Sequence, residues 1–148
     1  MAASNSDPAL DSLFLPFSSR VLAWPAGAVL FLRAREGAAM RQWPLAQLVC
    51  EQSYKPFADE LERGALQVIA DASASGARYP LVLVLPPRQR EEARALFARA
   101  LSLCAPGGVV VASITNNEGA KSGEADLKQL AGLGGSLTKN HCRVFWSR

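Results

Sequence analysis

The side chains best suited to chemistry lie where short apolar runs give way to polar residues. After the run Ala28–Leu32 the chain reads Arg33-Ala34-Arg35-Glu36-Gly37. A nucleotide or adenosyl group held at such a turn needs two or three glycines, so that backbone amides can approach it closely. Only Gly37 is present here, and two arginines and a glutamate fill the turn. That argues against a working pocket of this kind. Glu51 follows the second run, at the point where an acidic side chain hydrogen-bonds ribose hydroxyls in dinucleotide-binding folds. With the glycines gone, a solvated carboxylate is the favoured reading of Glu51. Leu85-Pro86-Pro87-Arg88 follows the fourth run, and its two prolines fix an extended, rigid turn.

Other constellations carry less. His141 adjoins Cys142, but neighbours along a strand point to opposite faces and cannot act as base and nucleophile. Cys142 is read as a packing residue and His141 as exposed or hydrogen-bonded. Cys50, Cys104 and Cys142 are an odd, widely spaced set with no CxxC pair, and there is one histidine. Neither a disulfide framework nor a Cys/His zinc site fits; three reduced thiols in a cytoplasmic protein do. Asp59, Glu60 and Asp71 form no acid–base motif and read as surface. Arg33, Arg35, Arg41, Arg88, Arg90, Lys121, Lys139 and Arg143 would make a phosphate-contacting patch if the fold gathered them at the strand ends; scattered solubilising charge accounts for them equally well. The net charge of +3 permits a nucleic-acid partner without demanding one.

The elements that must position these residues alternate. The 148 residues are 49% hydrophobic, enough for one well-packed domain. Ala28–Leu32, Ala46–Cys50, Leu66–Ala70, Leu81–Leu85, Val109–Ala112 and Arg143–Trp146 are short apolar runs without polar alternation. Strands buried on both faces have that character, as in parallel sheets covered by helices. Val21–Trp24 is read as a further edge strand. Between the runs lie helical segments: Ala93, Leu96, Phe97, Ala100, Leu101 and Cys104 share one face. Ser53 and Ser122 are expected to cap two more helices, with Gly64 past the end of the first and Leu127, Leu130 and Ala131 facing inward on the second. Ser136–Lys139 and Arg143–Trp146 are too close for a crossover helix and read as an antiparallel hairpin. The expected fold is therefore α/β: a doubly wound, mostly parallel Rossmann-like sheet with a terminal antiparallel hairpin. Residues 1–17 are expected to be a flexible N-terminal tail, and 18–148 a single domain. No apolar run reaches the roughly 20 residues that span a bilayer, so no membrane association is expected.

A resemblance sharpens this. The stretch YPLVLVLPPRQREEARALFARALSLCAPGGVVVAS resembles the second half of a class I methyltransferase domain, with its Asn-Pro-Pro-aromatic turn and Pro-Gly-Gly entry to the next strand. Asn116 or Asn117, Gly119, Lys121 and Ser122, then Thr138, Lys139, His141 and Phe145-Trp146, match an Asn-x-x-Gly-x-Lys-Ser segment and a Ser/Thr-Lys-x-His-x-x-Phe-Trp strand. These motifs resemble the N-terminal domain of the ribosomal RNA guanine-N2 methyltransferases, over residues 20 to 148. The resemblance implies a Rossmann-like methyltransferase fold and a parent enzyme that uses S-adenosylmethionine.

The departures are as informative. The family's active domain holds the target amine with the Asn of its Asn-Pro-Pro turn and stacks the base on the following aromatic. Those positions are Leu85 and Arg88 here, and leucine can neither donate nor accept a hydrogen bond. The resemblance therefore implies a non-catalytic N-terminal domain that binds no cofactor, with Arg33, Gly37, Glu51, Leu85, Pro86 and Pro87 as vestigial cofactor positions. Its expected partners are the catalytic domain of the same protein, docked on an exposed apolar patch, and ribosomal RNA, contacted by Lys121, Lys139 and Arg143. The alternatives are an active methyltransferase with an atypical pocket, using Glu51 on the cofactor ribose, and a plain protein-interaction α/β domain.

Overall fold

Residues 7–148 are described by the computed structural model. Seven strands form one sheet: Val29–Leu32 (β1), Leu48–Glu51 (β2), Gln67–Ile69 (β3), Tyr79–Val84 (β4), Cys104–Thr115 (β5), Leu133–Lys139 (β6) and Cys142–Ser147 (β7). Their spatial order is β3-β2-β1-β4-β5-β7-β6. The first five run parallel, and β7 lies antiparallel between β5 and β6. The doubly wound sheet and its terminal hairpin are those expected from the sequence. Continuous apolar runs marked the inner strands because β1 is buried at all four positions and β4 from Leu81 to Val84.

Among the described residues five α-helices accompany the sheet: Pro8–Leu13 (α1), Leu15–Ser18 (α2), Lys55–Arg63 (α3), Arg90–Leu103 (α4) and Ala120–Ala131 (α5). Val29, Phe31, Leu81, Leu83, Val111 and Trp146 point to one face, which α1, α2 and Leu61 of α3 cover. Leu30, Val82, Val84, Val110, Ala112 and Phe145 point to the other, under Phe97 of α4 and Leu127 of α5. Between the last two helices Asp126, only 2% exposed, accepts hydrogen bonds from Arg90 (2.9 and 3.2 Å) and Arg94 (2.6 Å).

The expected N-terminal tail needs correction. Residues 1–6 lie outside the described residues, but 8–17 are helical and packed into the core. Asp7 caps α1 by accepting from Leu10 N at 3.2 Å, and Pro8 sits in the first turn. Leu10, Leu13, Phe14 and Phe17 are all buried. Polar neighbours masked a helix of six residues whose apolar stripe is only two side chains wide. Val21–Trp24 is irregular chain, not a strand; Trp24 leaves it to stack on Trp43 with ring centroids 4.7 Å apart. Ser53 caps nothing, since α3 begins one residue later, after Tyr54. Gly64 does end α3. Ser122 lies inside α5, which starts after Gly119 at φ 101°, and Leu130 faces outward. The Pro-Gly-Gly segment belongs to β5 itself: a Cβ on Gly108 would stand 2.8 Å from the Pro80 carbonyl, so only glycine lets the two strands meet. His141 occupies the β6–β7 turn with Asn140, both at positive φ (61° and 54°), a two-residue hairpin geometry.

Candidate functional site

Strand order reverses direction between β1 and β4, and ligands of such sheets bind outside the carboxyl ends of the strands at that point. A cleft of about 910 Å3 opens there. Residues after β1 (Arg33, Arg35), β2 (Glu51 to Tyr54), β3 (Asp71) and β4 (Leu85 to Arg88) line it, with Ser113 and Thr115 from the end of β5. The fold thus gathers five of the six vestigial cofactor positions, all but Gly37, into one place.

Each is occupied in an unexpected way. Glu51 is not solvated. Its Oε1 accepts from Arg99 Nη1 at 2.6 Å, its Oε2 accepts from Arg99 Nη2, and the same Oε2 accepts from Ala72 N at 2.8 Å. Arg99 also donates to Asp71 Oδ1 at 2.9 Å and to Ser73 Oγ at 3.2 Å. The Glu51 hydrogen bonds, foremost, raise the Arg99 pKa against its partial burial. Asp71 is held below its ordinary value first by the Ser73 backbone N–H and also by Arg99. Three hydrogen bonds from protein thus occupy both carboxylate oxygens of Glu51.

Arg33 adopts φ 54°, the left-handed conformation that glycine takes without steric cost. A glycine-type backbone therefore persists after β1, but with a guanidinium on it. Arg33 Nη1 donates to the Leu85 carbonyl at 2.7 Å, bridging the ends of β1 and β4. Burial lowers its pKa; Glu92 opposes this and Arg35 adds to it. The next amide, Ala34 N, is spent on the Glu51 carbonyl (3.2 Å), and the Ala34 carbonyl accepts from Gln52 Nε2 (2.7 Å). Gly37 is not in the cleft. A Cβ on it would collide with Leu10 Cδ2, so this glycine makes room for α1. Leu85 is buried in the core, 8% exposed, and presents no polar group beyond its backbone. Pro86 and Pro87 form a half-buried wall beside it.

Among the expected basic patch, the structure brings Arg33, Arg35 and Arg88 into the cleft and disperses the rest. Arg41 pairs with Glu36, and Arg90 with Asp126. Arg143, expected to contact RNA, gives its Nη1 to Glu124 Oε1 at 2.7 Å. Lys121 on α5 and Lys139 on β6 are exposed and lie outside the cleft. Burial pushes the Cys50 thiol up to about 12, so it is no nucleophile at neutral pH. Sequence reasoning missed Arg99 and read Asp71 only as surface. Arg99 was visible only as a charge off the apolar face of α4, and its partners lie 48 and 28 residues away.

No family model matches this sequence, and no curated protein matches it. Solved structures do. The whole chain aligns with 44% of the T. Thermophilus 16S rRNA N2 methyltransferase RsmC, solved with AdoMet and guanosine, at TM-score 0.74 and 21% identity. The chain has a methyltransferase fold. It also aligns over 92% of its length with 77% of the ribosomal protein L11 methylase of Lactobacillus delbrueckii subsp. bulgaricus, at TM-score 0.64 and 14% identity. For the CcbJ methyltransferase of Streptomyces caelestis the values are 82%, 55%, 0.57 and 20%. The chain spans less than half the length of RsmC.

Proposed function

We propose that this chain is the non-catalytic N-terminal domain of a ribosomal RNA (guanine-N2) methyltransferase, one that supports a catalytic domain and neither binds S-adenosylmethionine nor transfers its methyl group. One observation carries the reading: the carboxylate at the ribose position, Glu51, is closed off by Arg99 and the Ala72 amide. Adenosine would have to break a partly buried, bidentate ion pair to reach it. The cradle of glycine amides is also missing, and Leu85 offers no group for a target amine. The residues present do not fit the cofactor.

The surface bears on how support would work. Among the described residues, the exposed large apolar side chains are Val21, Tyr54 and Leu130, on three different segments of the chain. No apolar docking face like the one expected from sequence is formed by them, so a domain partner would meet a mainly polar surface, as interfaces between domains of one chain commonly are. Any RNA contact through Lys121 and Lys139 would be weak, sequence-tolerant and salt-dependent.

Calorimetric titration with S-adenosylmethionine tests the central claim. No heat of binding is expected; micromolar one-to-one binding would overturn it. Mixing the chain with a separately expressed guanine-N2 methyltransferase catalytic domain of the same protein tests the support. Association, or a change in that domain's activity, is expected, and neither would refute the role.

A further inference from the structure

The cleft holds cationic and polar groups that the proposed function leaves unused. Arg99 is consumed by Glu51 and Asp71, and the Asp7 carboxylate by the α1 cap. Three arginines remain at the mouth. Arg33 makes one hydrogen bond, to a neutral carbonyl, and has no ion pair among the described residues. Arg88 is 79% exposed and stands 3.7 Å from Glu118; Arg35 stands 3.7 Å from Glu60. Exposed pairs of that length contribute little and are easily exchanged for a better anion. Ser113, 1% exposed, and Thr115 close the floor, with their hydroxyl oxygens buried beneath it. At the rim, Tyr54 is 57% exposed. Phe57 meets it edge-on at 4.8 Å between centroids and is itself covered by the Arg35 guanidinium at 3.5 Å, so the ring is braced.

We propose that this cleft is a nucleotide site, its phosphate taken by Arg33 and Arg88 and its base stacked on Tyr54. Guanidinium groups match phosphate oxygens geometrically, and an exposed, braced aromatic ring takes any base by stacking. The nucleotide comes either free or as one residue of a single-stranded RNA. The site does not depend on the reading above, because none of its groups is the Glu51–Arg99 pair.

Titration of the isotope-labelled full chain, followed by NMR, distinguishes these. Uridine 5′-monophosphate is expected to shift the Tyr54, Arg33 and Arg88 resonances saturably, while uridine at the same concentration does not. Hexauridylate binding at least about tenfold tighter than the monophosphate identifies single-stranded RNA as the source; equal or weaker binding identifies the free nucleotide. Arg88→Gln and Tyr54→Ala, both at exposed positions, should each weaken binding by about fivefold or more, and Arg88→Gln should reduce its salt dependence. The proposal is overturned if uridine binds as well as its monophosphate, if both variants stay within twofold of the parent, or if the shifts centre on Lys121 and Lys139. S-adenosylmethionine added to the same sample reports separately on the earlier reading.

Discussion

Arg99 does for Glu51 what a bound sugar would otherwise do: it satisfies a half-buried carboxylate. Removing it leaves Glu51 Oε1 without the partner it has now and Oε2 with the Ala72 amide alone. Arg99→Ala is therefore expected to destabilise the fold by about 1–3 kcal/mol. Urea denaturation measures this, and an unchanged midpoint would mean that water replaces the guanidinium at no cost. The residues of this site were legible as types but not as partners. Glu51 and Leu85 could be placed at strand ends from the apolar runs alone. That Glu51 is spent could not, because the pairing depends on where α4 crosses the sheet. The positive φ of Arg33 was hidden for a related reason: arginine gives no sign of a conformation normally signalled by glycine.

At the scale of elements, β4 is the central strand of seven, and both its faces are covered. Leu83, fully buried against α1-side residues, should cost about 2–5 kcal/mol when cut to alanine. Leu13 of α1 is equally buried, so Leu13→Ala should cost a similar amount. A loose N-terminal segment would give a change under about half of one kcal/mol, so chemical denaturation of this variant separates the observed helix from a tail. Inner strands were readable because burial on both faces leaves an uninterrupted apolar run. The two N-terminal helices were not: each is too short to display a period, and their side chains become core only once the sheet is assembled beneath them. The hairpin was readable from spacing, since the three residues between Lys139 and Arg143 cannot hold a crossover.

For the molecule as a whole, Asp126 ties the two helices of one layer together, and its response to acid should be felt in global stability. Hydrogen bonds from Arg90, first, hold its pKa below the ordinary value, with those from Arg94 adding to the effect against the opposing influence of burial. A lowered carboxylate pKa stabilises the folded state above the unfolded value of about 3.9, and that stabilisation fades as pH falls towards the folded value. Asp126→Asn is thus expected to be less stable than the parent at pH 7 by about 1–3 kcal/mol. The gap should narrow below about pH 4. Thermal melts of both proteins between pH 7 and pH 3 measure it, and a gap that widens on acidification would refute the assignment.

The position of β7 has a consequence for the order in which the chain can fold. It is the last strand of this sheet to leave a ribosome, yet it lies inside the sheet, between β5 and β6. The first helix, α1, packs against β5 and β7, so the earliest described residues have to wait for the latest. Until Cys142–Ser147 emerge, β5 presents an open edge of unpaired amides and carbonyls, and Leu10 and Leu13 have only part of their final seat. Folding is then closed by contacts spanning nearly the whole sequence, which carry the largest loop-closure cost and form slowly. A stalled or shortened nascent chain lacking that strand would expose a strand edge and an uncovered apolar face together, the combination most prone to pairing with a neighbouring copy.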